Sequence, residues 1–334
     1  MKKYFKVNLF RFICSMLVVC IHMGIENTSP FATAFIVCFC RQAVPYFFIV
    51  SGFFFSEKYQ TTENYDRFTN SYTIRLLKYY LIWICFQLPM LINDYTSIYA
   101  DRSTVYIFAV LLRRTLLAGT SPFWYLLALA LTGFVAGRLI KRNVKALYII
   151  SAIGWIAGYF YTLNLTALSV YNRAVYAVFS WENNFLMTGL PFFAIGILIH
   201  SNKDKIRFHS KFTAAILAFS CIITVLVHHL TANNILPILK YIPLNIALPV
   251  SLFLYAITGE CNITNPRIGK VLRNYSTVIY CLHTFVLIYI MGNIIPRTYI
   301  TVIDFTVTIT VCMIIGFIAQ KFLKNTFFRI LILK

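Results

Sequence analysis

The sequence predicts an all-α fold, a polytopic bundle of about ten transmembrane helices with both termini in the cytosol. Three observations predict it. The 334 residues are 60% hydrophobic and only 12% charged, which is too apolar for a soluble domain of this length. Apolar stretches long enough to cross a bilayer recur along the whole chain. The basic residues collect in alternate connecting segments, as they do in multi-pass membrane proteins.

Ten segments each supply about 20 mostly apolar residues, the length that a helix needs to cross the hydrocarbon core. They lie near residues 7–26, 34–55, 75–93, 122–139, 145–162, 185–201, 212–231, 236–257, 272–293 and 299–323. The first has no small-residue cleavage site, so we expect it to be retained as a span. Because no repeat of about 20 to 50 residues is visible, we expect one membrane domain over residues 1–334.

The positions of Lys and Arg orient the predicted helices. Most of the 30 basic residues fall in segments that share one side of the membrane, namely 2–11, 58–78, 138–145, 203–211, 267–273 and 321–334. The positive-inside rule then predicts ten spans with both termini in the cytosol. The net charge of +20 is mostly a signal of topology. Such a face favours anionic lipids and anionic cytosolic ligands, but no single basic stripe indicates nucleic-acid binding.

The stretch STVYIFAVLLRRTLLAG, residues 103–119, is apolar but interrupted by two adjacent arginines. It predicts an amphipathic helix at the outer surface or a re-entrant piece. An eleventh span here would invert every later loop and place most of the basic charge outside the cell.

The cysteines and the paired histidines predict no metal centre. Nearly all nine cysteines fall inside predicted spans, and none forms a CxxC pair, so we expect them to act as small packing residues. His228 and His229 are neighbours and therefore point to different sides of a helix, which suits metal binding poorly. We expect neither a metal nor a bound cofactor.

The first predicted span carries two ionisable residues on one face. Arg11 and His22 are eleven positions apart, which is about three helical turns and about 16 Å along the axis. Arg11 would lie near the cytosolic boundary and His22 deep in the membrane. Ionisable groups at that depth usually face a bundle interior or a watery cavity, so the aligned pair indicates a functional site. The alternatives are an arginine that reaches lipid phosphate and a histidine that only packs.

The ninth predicted span carries a second polar cluster. Ser276, Tyr280 and His283 follow one another at spacings of four and three, so they share one helix face, and His283 falls near mid-membrane. This pattern predicts either a part of the active cavity or a polar contact that holds helices together.

Two further charged residues are candidate site residues. Glu26 lies four positions after His22, so it either orients the imidazole or is solvated at the outer boundary. Arg41 lies inside the second predicted span, where it needs a partner or water, and it is a candidate for the cavity lining.

These motifs carry a resemblance. RFICSMLVVCIH, residues 11–22, resembles the first membrane helix of the acyltransferase 3 family of membrane O-acyltransferases, with the same spacing from Arg to His. VPYFFIVSGFFF, residues 44–55, and NYSTVIYCLHTF, residues 274–285, are similar to later family segments in the right order. FWYLLALALTG from 123 and LPFFAIGILI from 190 are similar as well but less specific.

The resemblance implies transfer of an acyl group, commonly acetyl, from cytosolic acyl-CoA to a hydroxyl of a cell-surface or lipid-linked glycan. By motif position, Arg11 and His22 match the pair regarded as essential in that family. A guanidinium suits phosphate or a developing oxyanion, and a neutral imidazole can act as a base or take the acyl group itself. Acyl-CoA is then a co-substrate, and the expected location is the plasma membrane of a bacterium.

The chain departs from the family at one motif. The family often has Arg, two residues, Arg near the third helix, whereas this chain has RLLK, from Arg75 to Lys78. Lysine attracts phosphate as a point charge but does not bind it in a bidentate fork. Arg75 and Lys78 are therefore candidate donor contacts, or ordinary basic residues of a cytosolic segment.

A transporter is the alternative function. Some membrane domains that resemble this family are associated with amino-acid supply for cell-wall synthesis, and RQAVPYFFIVSGFFF, residues 41–55, resembles those as well. A transporter would move its solute without consuming acyl-CoA, and its buried charges would gate ions or solute.

Overall fold

A computed structural model of the chain describes residues 4–163, 168–179, 184–205, 209–233, 244–258, 266–291 and 302–322. These residues form an all-α fold and include no β-strand. In chain order the helices are α1 (Phe5–His22), α2 (Pro30–Cys38), α3 (Ala43–Gln60), α4 (Tyr65–Ile98), α5 (Thr104–Arg113), α6 (Trp124–Arg142), α7 (Val144–Leu163), α8 (Ser169–Phe179), α9 (Leu190–Ser201), α10 (Ser210–Ala232), α11 (Leu244–Thr258), α12 (Pro266–Phe285) and α13 (Val302–Phe322).

The chain divides into two compact units. The first comprises Met1–Ser51 and Ser201–Lys334, and the second comprises Gly52–His200. α1, α2 and α10–α13 belong to the first unit, and α4–α8 belong to the second; α3 begins in the first and ends in the second. The expectation of one membrane domain over 1–334 stays a prediction.

The prediction of a polytopic helical membrane protein is confirmed. Eight helices of the described residues are long and apolar enough to cross a bilayer, and each coincides with a predicted span. The other two predicted spans coincide with shorter apolar helices, Phe185–Ser201 and Ile246–Thr258. The helix Ile246–Thr258 coincides with the C-terminal part of the predicted span 236–257. Residues 236–243 of that span lie outside the described residues. The cytosolic placement of both termini stays a prediction.

The second predicted span is not a continuous α-helix. A short 3₁₀ turn, Cys40–Gln42, separates α2 from α3. Pro45 explains the position of the break, because its ring has no N–H to donate to the carbonyl four residues earlier, that of Arg41, and collides with it. Pro45 is tolerated in the first turn of α3, where no such hydrogen bond is needed. The break thus places Arg41 at a corner of the chain.

The segment with adjacent arginines forms a short helix. α5 begins after Ser103, whose side-chain oxygen accepts a hydrogen bond from Tyr106 N at 3.3 Å. A π-helical turn, Arg114–Ala118, follows α5 directly. α5 is not among the helices that are long enough to cross a membrane, in line with the prediction of no eleventh span.

In the first unit, α1 packs along α12. A Cβ atom at Gly269 would lie 3.4 Å from Asn8 Nδ2, and the Ser276 hydroxyl donates to the backbone carbonyl of Arg11 at 2.9 Å. These contacts occur in the same order along both helices, so α1 and α12 run parallel. The topology predicted from sequence also has the first and ninth spans crossing in the same direction.

In the second unit, glycines bring helices close together. Gly133 and Gly137, four positions apart on α6, face α4, where added Cβ atoms would lie 2.4 Å from Tyr72 Cε1 and 2.4 Å from Thr69 Oγ1. At Gly52, in the VSGFFF segment, a Cβ would lie 2.0 Å from the carbonyl oxygen of Phe193. Small residues permit such approach in membrane helices, where dispersion contacts drive association.

The substitution Gly154→Leu on α7 should destabilise the protein. A Cβ there would lie 2.4 Å from the backbone carbonyl oxygen of Leu186, which cannot move without shifting its own helix. Overpacking of this kind costs about 1–3 kcal/mol. We expect a lower midpoint of thermal unfolding in detergent for the purified variant. Ala152→Leu is the control, because Ala152 lies on the exposed face of the same helix. Equal midpoints for the two variants would contradict this packing.

Candidate functional site

α1 carries Arg11 and His22 on one continuous helix, as the sequence predicted. Its eighteen residues contain no Gly or Pro, so nothing interrupts the helix before His22. Gly24 then takes φ = +72°, a left-handed conformation that suits glycine and turns the chain away. The two side chains are partly buried, and Nε of Arg11 is shielded from solvent.

α12 contributes Ser276, Tyr280 and His283. All three are buried, and the His283 side chain has no exposed surface. The Ser276 hydroxyl donates to the backbone carbonyl of Arg11 at 2.9 Å, which ties the middle of α12 to the first half of α1. Ser276 therefore has a packing role between the helices.

The two helices bring His22 and His283 together. Their ring centroids are 5.1 Å apart, and the ring planes make an angle of 46°. The Tyr280 ring lies beside His283, with the centroids 6.2 Å apart. Both motifs were predicted from sequence, but their pairing was not, because 260 residues separate them along the chain. The structure thus combines the two predicted clusters into one candidate site in the first unit.

The hydrogen bonds of His283 determine which ring nitrogen carries the proton. Nδ1 lies 3.0 Å from the carbonyl oxygen of Ile279 and 2.8 Å from that of Tyr280. Carbonyl oxygens only accept hydrogen bonds, so Nδ1 must be the protonated nitrogen. A neutral ring needs no counter-charge in a fully buried position. Nε2 then carries a lone pair, and it is buried with no hydrogen-bond partner among the described residues.

Glu26 and Arg41 form an ion pair beyond the end of α1. Oε1 of Glu26 lies 2.6 Å from Nη2 of Arg41, and the side chains are 33% and 49% exposed. The sequence predicted other roles for each of these two residues, and their pairing was not predicted. The Thr33 hydroxyl also donates a hydrogen bond to the backbone carbonyl of Glu26. The ion pair joins the turn after α1 to the break between α2 and α3.

Arg75 and Lys78 lie on α4, in the second unit. Both side chains are exposed, and the guanidinium carbon of Arg75 lies 5.9 Å from the Tyr72 ring centroid. Their assignment as donor contacts stays a prediction.

One buried polar pair in the second unit was not predicted from the sequence. Nδ1 of His200 lies 3.0 Å from the Ser56 hydroxyl oxygen, and the Phe53 ring packs edge-on against the imidazole with centroids 5.1 Å apart. Both polar residues are buried. No local motif marks the pair, because its members come from helices that are distant in sequence. It suits a structural contact between helices.

Within the described ranges, no group of three or more His, Cys, Asp or Glu side chains is arranged to hold a metal ion. The expectation of a site without metal or bound cofactor stays a prediction.

The fold and the site define a multi-pass, all-helical membrane protein with a histidine pair, of which His22 is partly buried and His283 fully buried. The chain belongs to the acyltransferase 3 family, whose description is "acyltransferase domain" and which matches residues 4–320. The match covers both units, and the resemblance drawn from the motifs is confirmed.

One curated relative is similar over part of the chain. An amino-acid racemase of Enterococcus faecalis is 25% identical over an alignment of 219 residues, and the alignment covers 62% of this chain and 29% of the racemase. This chain thus corresponds to less than a third of that protein. The similarity does not support the transporter hypothesis. No solved structure matches the chain significantly.

The substitution Ser276→Ala should weaken the packing of α1 on α12. It removes a hydrogen bond between the two helices, and such bonds contribute about 0.5–1.5 kcal/mol. We expect a lower midpoint of thermal unfolding in detergent. The control is Thr277→Ala, which removes an exposed hydroxyl that donates only within α12, to the Arg273 carbonyl. If Ser276→Ala lowers the midpoint of thermal unfolding no more than Thr277→Ala does, the result would contradict a stabilising role for this contact.

Proposed function

We propose that the protein transfers an acetyl group from cytosolic acetyl-CoA to a hydroxyl of a cell-surface or lipid-linked glycan. The protein would work in the plasma membrane of a bacterium. The observation that carries the proposal is the approach of His22 to His283, 5.1 Å between ring centroids, on a helix that also holds Arg11. Membership of the acyltransferase 3 family supports the reaction class.

His22 is the proposed base. A hydroxyl is a weak nucleophile at neutral pH, and a neutral imidazole that takes its proton during attack accelerates such reactions by about 10²–10⁴-fold. The proton removed from the hydroxyl passes to His22, the hydroxyl oxygen bonds to the acyl carbon, and the thioester C–S bond breaks. His22 then returns the proton to the departing sulfur, which leaves as the thiol of CoA.

Arg11 is the proposed donor contact. It lies about 16 Å along α1 from His22, toward the end of the helix that the topology predicts to be cytosolic. Acyl-CoA carries several phosphate charges, and a guanidinium binds phosphate with two parallel hydrogen bonds. This separation lets one extended donor contact Arg11 through its phosphates while its thioester lies near His22.

Arg75 and Lys78 are further candidates for phosphate contacts. Both are exposed in the first half of α4, where a polyanion can reach them. Lys78 replaces the second arginine of the family pattern, so we propose that it attracts phosphate without a bidentate fork.

Ester-linked acetate on surface glycans tests the proposal. The source strain lacking the gene is complemented with the intact protein or with His22→Ala at matched membrane abundance, and acetate released by mild base is measured. We expect protein-dependent acetate, reduced about 100-fold or more by His22→Ala because the base is lost.

The control for that experiment is His200→Asn, which changes another buried histidine outside the proposed site. It should leave the acetate near the level of the intact protein. Equal acetate in all strains, including the one without the gene, would exclude acetylation of surface glycans. Full acetate with His22→Ala would exclude His22 as the base.

Binding of acetyl-CoA to the purified protein tests Arg11 without any acceptor. Arg11→Gln should raise the dissociation constant about 10–100-fold, since a hydrogen bond to a charged group contributes about 1.5–3 kcal/mol. The dissociation constant of Arg11→Lys should lie between those of the intact protein and Arg11→Gln, because lysine retains the charge but does not form two parallel hydrogen bonds to phosphate. The control is Lys270→Gln, which removes an exposed positive charge from the N-terminal part of α12. Unchanged binding by Arg11→Gln would limit Arg11 to a role at the membrane boundary.

A further inference from the structure

Nε2 of His283 is a buried hydrogen-bond acceptor, and the reaction proposed above assigns it no role. Nδ1 donates to the carbonyls of Ile279 and Tyr280, so the ring cannot turn without losing both bonds. Nε2 is shielded from solvent and has no hydrogen-bond partner in the part of the chain that the structure describes. Buried polar atoms are nearly always paired, so a fixed lone pair at this position calls for a donor.

His22 is the neighbouring side chain that can supply that donor. A ring nitrogen lies about 1 Å from the centroid of its imidazole, so two imidazoles joined by an N–H···N bond of about 3 Å have centroids about 5 Å apart. The observed separation is 5.1 Å. A rotation of the His22 side chain, with no movement of α1 relative to α12, would therefore complete the bond. Catalytic hydrogen bonds are often misaligned before substrate binds and tighten in the complex.

We propose that His283 is a positioning residue whose Nε2 accepts a hydrogen bond from the ring N–H of His22 during acyl transfer. This inference rests on the proposed function, in which His22 is the base. The bond holds His22 with its other nitrogen unprotonated and directed at the acceptor hydroxyl. A carboxylate has this role in other catalytic sites, where it orients a histidine and stabilises its charged form.

The proton balance leaves His283 unchanged. The acceptor hydroxyl gives its proton to the free nitrogen of His22, and its oxygen bonds to the acyl carbon as the C–S bond of the thioester breaks. His22 is then an imidazolium with two N–H groups. One returns its proton to the thiolate of CoA, and the other stays hydrogen-bonded to Nε2 of His283.

A neutral acceptor suits this position better than a carboxylate. His283 is fully buried in α12, at a depth where a permanent charge is costly. A neutral imidazole with its lone pair fixed toward His22 stabilises the transient positive charge as an oriented dipole, and it adds no charge to the resting site.

Two substitutions of His283 separate the positioning role from a structural one. In His283→Asn the side-chain amide can replace Nδ1 and keep the hydrogen bond to the α12 carbonyls, but it lacks an acceptor at the position of Nε2. In His283→Gln the longer side chain places an amide oxygen near that position. If His283 has a purely structural role, His283→Asn should be the more active variant. If it has a positioning role, His283→Gln should be the more active one.

The rates are measured in membrane vesicles that retain their own glycan acceptors and receive labelled acetyl-CoA. We expect His283→Asn to lower kcat about 100-fold with little change in KM for acetyl-CoA, and His283→Gln to stay within about 10-fold of the intact protein. His22→Ala is measured beside them. If Asn preserves kcat as well as Gln does or better, His283 has a structural role and the inference is wrong.

A measurement on the unsubstituted protein covers the case in which the variants do not fold. Solid-state NMR of ¹⁵N-histidine-labelled protein, with His283 assigned by comparison with the other histidines, distinguishes protonated from unprotonated ring nitrogens. A proton on Nδ1 and a lone pair on Nε2 are expected, with an N–H···N coupling to His22 when acetyl-CoA is bound. A proton on Nε2 would overturn the inference.

The failures of the two proposals are distinguishable. If the intact protein transfers no acetyl group, the proposed function is wrong, and the NMR measurement alone decides the tautomer of His283. If acetyl transfer depends on His22 but His283→Asn keeps a kcat equal to or higher than that of His283→Gln, only the positioning role is wrong.

Discussion

The parallel packing of α1 along α12 is the constraint on which the candidate site depends. Ser276 donates to the backbone carbonyl of Arg11, and Gly269 lies beside Asn8, so these contacts define the register of the two helices. This register places the His22 ring 5.1 Å from that of His283. A shift by one residue would rotate one imidazole about 100° away from the other.

The histidine pair also shows how the protein accommodates polar groups in an apolar bundle. His283 satisfies Nδ1 with carbonyls of its own helix, three and four residues earlier, so it needs no polar partner from another helix for that atom. The remaining lone pair is fixed in direction. Two neutral imidazoles can face each other at lower cost than a histidine and a carboxylate, since neither carries a charge at rest.

The second unit depends on close approach rather than on charge. Glycines on α6 and α7 remove the Cβ atoms that would meet neighbouring helices, and Gly52 does the same against the backbone of Phe193. In a bilayer the hydrophobic effect does not drive helices together, so contact distance and dispersion matter more. The polar pair of Ser56 and His200 adds a specific contact in the same unit.

The sequence by itself determined the helical class and the positions of the apolar helices, and it supplied the candidate residues of the site. Helix length and periodicity are local properties, so Arg11 and His22 could be placed on one face of a helix, and Ser276, Tyr280 and His283 on one face of another. The break at Cys40–Gln42 has an equally local cause in Pro45, although it was not predicted.

The tertiary structure decided which faces meet and what their atoms can do. The pairing of His22 with His283, the ion pair of Glu26 with Arg41 and the contact of Ser56 with His200 each join distant parts of the chain. No local pattern specifies such pairs, because they depend on the register and crossing of packed helices. The direction of the His283 lone pair also follows only from the tertiary structure, since a sequence shows that an imidazole is present but not which of its nitrogens carries the proton.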